Sequence, residues 1–333
     1  MELKLIKRLV ISTTIVAVVL VVYSKLMCVR ELSLDVRSAA LSTAILLTGW
    51  LISAIRLKYL FRVAKRDLSC SIKTCIGARF AGDVLAKITP SSIGGEPARA
   101  YYISMDTGLP FLEVYALTIY EVYFDVMFTC ISGALFSLWS LPLSLPALIT
   151  SLVVGATWAA VFNNIGRIYA FIGEKAMGNR LLERSLNRLR ASKYFSRFLN
   201  KLLDFKDHYV KISSKVRSRQ KFALWALTIV IHFTWSLSII PLVLARHDHG
   251  LNMPAIIWVA VAAYCLMQSM SILPTPGGSG VAEYGLSIAL PPDVVVAYRS
   301  LYFFVPILVG LPFYFTQLGK RSEEFARSVS RTR

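Results

Sequence analysis

Acidic residues are scarce in this chain: 19 Asp and Glu stand against 37 Lys and Arg, and the four charged types together make up only 17% of it. A soluble domain has no use for several apolar runs near twenty residues long, yet such runs recur here and hydrophobic residues reach 56%. The nucleotide motif GxxxxGK[ST], the zinc motif HExxH and the nucleophile motif GxSxG are all missing. Nothing therefore points to hydrolysis or nucleotide use, and a transporter is favoured over an enzyme. Cys28, Cys70, Cys75, Cys130 and Cys265 are odd in number and sit mostly in or beside apolar runs, which excludes a disulfide framework. Cys70-x4-Cys75 lacks a second ligand pair, and His247-Asp248-His249 is a weak metal signal, so no metal and no cofactor is expected. The net charge of +18 invites a nucleic-acid partner. The basic residues lie between the apolar runs, however, as in the cytoplasmic loops of membrane proteins, and no nucleic acid is expected.

A helix needs about 20 apolar residues to cross about 30 Å of hydrocarbon. Leu9–Met27, Ala39–Leu57, Phe111–Leu138, Ala147–Ile165, Phe222–Leu244 and Val295–Leu318 meet that need, and they are too continuous for barrel strands. The first run follows Lys4, Lys7 and Arg8 like a signal peptide but has no small-residue cleavage site, so it is read as a retained anchor. Basic groups mark the cytoplasmic side: the N-terminus, the cluster Arg56, Lys58, Arg62, Lys65 and Arg66, the segment 167–221, and the tail from Lys320 to Arg333. Both termini are then cytoplasmic. Within 167–221, leucine and phenylalanine recur at three and four with Arg and Lys between them. That pattern suits helices on the inner membrane face, where each basic group adds about 1 kcal/mol of attraction to anionic lipid. A basic hairpin capping the bundle is the alternative. The expected fold class is all-α: one multi-pass helical domain over 1–333 in the cell membrane, with about six full spans and two re-entrant or broken helical hairpins.

The two hairpins are 71–104 and 254–290, lying within a first half (9–138) and a second half (222–318). Each puts proline and a Gly-Gly pair inside apolar sequence, as Thr89-Pro90-Ser91-Ser92-Ile93-Gly94-Gly95-Glu96-Pro97-Ala98-Arg99 and as Pro274-Thr275-Pro276-Gly277-Gly278-Ser279-Gly280-Val281-Ala282-Glu283. With N-terminus, basic segment and tail on one side, the first hairpin must dip in from the cytoplasm and the second from outside, forming an inverted repeat. Glu96 and Gly280 as caps would place Pro97 first in its helix and put Arg99 and Glu283 both third. Arg79, Asp83 and Lys87, four apart, share a face that must avoid lipid, since a mid-bilayer charge costs about 2.5–3.5 kcal/mol. Glu121 and Asp125 also share a face. The candidate substrate-binding set is Arg79, Asp83, Lys87, Pro90, Ser91, Ser92, Gly94, Gly95, Glu96, Arg99, Glu121, Asp125, Pro276, Gly277, Gly278, Ser279, Gly280 and Glu283. Helix N-termini and arginine favour an anionic group such as phosphate, and Glu121, Asp125 and Glu283 are candidates for taking up protons or neutralising a cationic head group. The competing reading is that these charges pair among themselves to hold the bundle.

At these two strings, with Arg79-x3-Asp83 ahead of the first, the chain resembles the lysylphosphatidylglycerol synthase transmembrane region, or flippase-like domain, over most of its length. Val122 follows Glu121 where the family's pattern has arginine. The resemblance implies movement of a lipid or lipid-linked sugar between leaflets without identifying the lipid; the candidate partners are membrane lipids, polyisoprenyl-phosphate-linked or aminoacylated ones among them. It is similar to stand-alone members of the family, those without a synthase domain. The alternative is a membrane subunit that presents lipid to a separate cytoplasmic transferase.

Overall fold

The structure is a computed structural model that describes residues 2–29, 35–64, 70–89, 94–165, 167, 193–246, 250 and 252–331. Every regular element among them is a helix: α1 Glu2–Leu26, α2 Val36–Ala64, α3 Ile72–Ile88, α4 Gly95–Thr107, α5 Phe111–Trp139, α6 Leu145–Asn163, α7 Lys193–Lys215, α8 Ser218–Leu237, α9 Ile240–Leu244, α10 Met253–Met270, α11 Val281–Ser287 and α12 Pro292–Arg331. The usual inside-outside pattern is inverted. Leu135, Leu152 and Phe222 are 63%, 57% and 76% exposed, whereas Arg56 is 1% exposed and Glu121 0%. In water that distribution would be ruinous; with hydrocarbon as the solvent it is the stable one.

Among the described residues, seven stretches of helix are long and apolar enough to cross a membrane. Six of them correspond to the expected spans, and the seventh is α10, the first arm of the second broken unit. Small residues let these helices approach closely, as they do where apolar burial gives no driving force. A Cβ at Gly133 would lie 2.6 Å from Ser269 Cβ, and one at Gly285 would lie 2.7 Å from the carbonyl oxygen of Leu266.

The α3–α4 hairpin follows from local chemistry. Ser71 caps α3 by accepting the N–H of Thr74 at 3.0 Å, and Gly108, at φ 71°, closes α4 in the left-handed conformation. Gly82 and Gly95 bring the arms together: a Cβ at Gly82 would meet the Gly95 carbonyl at 3.0 Å. With 17 and 13 residues, the arms rise only about 26 and 20 Å. The Thr74 hydroxyl donates to Asp106, so the beginning of α3 and the end of α4 lie side by side. The hairpin therefore returns to the end of the bundle it left.

The α10–α11 unit is fastened by contacts of its own. Arg246, before it, is ion-paired to Asp293, after it. Tyr284 of α11 reaches the carbonyl of Leu143, which lies beyond the end of α5 remote from Phe111. The last turn of α3 meets the tip of the second unit inside the bundle. The carbonyl of Lys87 in the last turn of α3 accepts the Ser12 hydroxyl at 3.0 Å, and a Cβ at Gly277 would stand 3.0 Å from the same oxygen. Gly277 and Gly278 have φ of 59° and 72°, a conformation that excludes ordinary side chains at this contact.

Candidate functional site

Four helices converge on two carboxylates of α5. Arg56 of α2 grips Asp125 with both terminal nitrogens at 2.6 Å, gives its Nε to Glu121 at 3.1 Å, and donates to Thr228 Oγ1 of α8 at 2.6 Å. Arg79 of α3 donates to the same Glu121 oxygen. Arg99 of α4 reaches the other Glu121 oxygen at 3.5 Å and Glu96 at 3.4 Å. His232 of α8 sets Nε2 3.4 Å from Asp125 and Nδ1 2.9 Å from the Tyr264 hydroxyl of α10. Gln268 bridges that hydroxyl to Tyr302 at 2.9 Å, and the Lys87 ammonium lies 4.0 Å over the Tyr302 ring. One polar chain thus runs from Glu121 to the meeting point of the two broken units.

Charge assistance and bidentate geometry make the Arg56–Asp125 contact strong. The cluster is nevertheless not saturated. Arg79 and Arg99 are each 5% exposed, and the Nε of each is buried without a hydrogen-bond partner among the described residues. A buried donor left unmade costs about 1–3 kcal/mol, more when charged. Two such donors flanking one carboxylate beside the start of α4 suit an incoming anionic oxygen.

The structure places the expected residues in two groups and one scatter. Arg79, Glu96, Arg99, Glu121 and Asp125 come together, with Gly94 and Gly95 at the start of the helix that carries Arg99. Asp83 is half-buried within electrostatic range of Arg99, Lys87 and Arg79. Pro276, Gly277, Gly278, Ser279 and Gly280 form the second tip, where Ser279 hydrogen-bonds the Pro276 carbonyl at 2.6 Å. Pro90, Ser91 and Ser92 lie outside the described residues, as do His247 and His249. Glu283 does not join Glu121 and Asp125. It accepts Arg299 Nε at 2.8 Å and the Gly280 N–H at 2.6 Å.

Several expectations need correction. Gly94, not Glu96, is the cap of α4. That places Glu96 second, Pro97 third and Arg99 fifth, so Arg99 and Glu283 are not equivalent in position. Glu283 is third after its Gly280 cap, as expected. Arg56 is no part of a solvated loop: α2 runs on to Ala64, and Arg56 faces the core. The helix outlasts the apolar run because its buried stripe, Ser42, Leu46, Gly49, Ser53, Arg56 and Leu60, continues past it. Thr228, His232, Tyr264 and Arg299 were also missed. The signal for His232 and Arg299 was in plain view, since an ionisable group within a span is a functional candidate by default.

The family described as Lysylphosphatidylglycerol synthase TM region matches residues 8–310. The chain belongs to that family. It is 28% identical over 253 residues to a UPF0104 membrane protein of Archaeoglobus fulgidus, an alignment covering 72% of this chain and 71% of the relative. No solved structure matches it. The family assignment agrees with a multi-pass membrane protein, and the matched residues include both broken units and every member of the charged cluster.

Proposed function

We propose that this protein carries a lipid with an anionic head group between the two leaflets. The head group would settle against Arg79 and Arg99 beside the start of α4, while its chains stay in the bilayer along the apolar outer surface. One observation carries this reading: the two arginine Nε donors beside the start of α4, buried and without a partner among the described residues. A cluster serving only to hold helices together would use every donor it buries, because each unmade bond lowers its worth. Asp83, Lys87, Gly277 and Gly278 would line the route beyond the arginines. The family's own description, a synthase region named for a phospholipid, supports a phosphate-bearing substrate.

The test is reconstitution of the purified protein into vesicles carrying a fluorescent phospholipid in both leaflets. A membrane-impermeant quencher added outside should extinguish the inner-leaflet signal in protein-containing vesicles and leave it intact in empty ones. Lipid movement that arises only when a transferase is added would favour the lipid-presenting subunit instead.

A further inference from the structure

Cys70 and Cys75 stand at the two ends of a helix-start motif. Ser71 is the cap of α3, so Cys70 occupies the position just before the cap and Cys75 the fourth position of the helix. A side chain before the cap commonly folds back over the one at the fourth position, as a hydrophobic staple that sets the angle at which the chain joins the helix. Here both halves of the staple are thiols. Their sulfurs are 3.3 Å apart, both cysteines are free, and Cys70 is 2% exposed where Cys75 is 0%. The motif is tight in other respects: the Thr74 hydroxyl lies 2.7 Å from that of Ser71, and the Cys75 N–H donates to the Ser71 carbonyl at 3.1 Å. A leucine pair would staple the same turn with more apolar area. A thiol pair adds the capacity to become a covalent bond.

We propose that Cys70 and Cys75 form a thiol–disulfide modification site whose co-reactant is a low-molecular-weight disulfide, and that its oxidation locks the start of α3. Small reagents have an approach: a recess of 490 Å³ is lined by Ser71, Lys73, Thr74, Tyr102, Asp106 and Phe313, so the chain neighbours of the two cysteines, Ser71 and Thr74, face it. Cys70, the more exposed of the two, loses its proton and attacks one sulfur of the incoming disulfide, expelling the first small thiolate. Cys75, deprotonated in turn, attacks the Cys70 sulfur and expels the second. The two cysteine protons end on the two departing thiols, and two electrons pass from the cysteine pair to the reagent. The sulfurs already touch, so closing the bond asks for side-chain rotation and no rearrangement of helices.

The consequence lies at the mouth of the first hairpin. Thr74, inside the stapled turn, is the residue that ties α3 to Asp106 at the end of α4. Oxidation would hold that turn, and with it the fastening between the hairpin's two arms. None of this depends on the lipid-carrying reading.

The experiment is equilibration of the purified full chain with glutathione disulfide, followed by thiol counting with maleimide in denaturant and peptide mass mapping. Reactive thiols should fall from five to three, with a linked Cys70–Cys75 peptide and full reversal by reduced glutathione. Cys70→Ser and Cys75→Ser should abolish the linked peptide, whereas Cys130→Ser should leave it in place. Amide exchange in the first turn of α3 should slow about tenfold on oxidation, since fraying is closed off. Five thiols persisting at equilibrium, a glutathione adduct resting on one cysteine, or unchanged exchange after oxidation would each overturn the proposal.

Discussion

Two buried charge groups among the described residues are built on opposite plans. Glu283 and Arg299 sit 16 positions apart at the second break and satisfy each other locally. The remaining carboxylate oxygen takes the Gly280 N–H, and the terminal guanidinium nitrogen donates to the Gly277 carbonyl. The first group draws Arg56, Arg79 and Arg99 from three helices onto Glu121 and Asp125 of a fourth and still leaves two Nε donors over. A closed local pair is a strut that shapes a loop. An open cluster gathered from many helices is a place where something else can bind. Buried ion pairs contribute little net stability, so the second group earns its place through geometry and the first through what it leaves unsatisfied.

The sharpest break in that comparison is Glu121→Gln. It removes the charge shared by three arginines, and stranding buried cations should cost about 3–5 kcal/mol; thermal unfolding in detergent should show a large drop, and a near-native midpoint would deny the cluster its role. Arg299→Gln comes next, at about 1–3 kcal/mol, because Glu283 keeps the Gly280 N–H. The double variant Glu283→Gln with Arg299→Gln should recover part of that loss in a double-mutant cycle, whereas additive losses would mean the two are not a unit. Gly277→Ala forces a side chain into φ 59° and to within 2.5 Å of the Phe303 ring, for about 1–3 kcal/mol. The smallest effect lies outside both groups. Hydrogen bonds from Ser38, its hydroxyl first and then its backbone N–H, hold Asp35 below the usual aspartate range. A lowered value means the cap contributes above the unfolded pKa and is lost as pH falls through the folded one. Amide exchange at the start of α2 should therefore quicken below about pH 4; exchange there indifferent to pH-corrected acidification would remove the cap.

Hydropathy made the helical membrane class and six of the spans readable, because a crossing imposes twenty consecutive apolar residues and little else does. The two breaks were readable for a similar reason: Gly94-Gly95 and Gly277-Gly278 interrupt sequence that would otherwise continue as helix. The partners were not. Arg56 and Arg79 meet on Glu121 only through the packing of α2 and α3 against α5, and no spacing along the chain encodes that. Position within α4 was misread because Glu96 looks like a cap, while the backbone turns two residues earlier, at Gly94. Glu283 was grouped with Glu121 by charge type alone; its Arg299 partner lies in a run otherwise apolar enough to pass as pure span.

The comparison rests finally on lipid movement in vesicles, measured side by side for Arg79→Gln with Arg99→Gln and for Glu283→Gln with Arg299→Gln. Loss of phospholipid exchange between leaflets in the first pair, with most of the rate retained in the folded second pair, is the predicted result. Full exchange by the arginine variant, folded and inserted, would contradict a head-group site at Arg79 and Arg99.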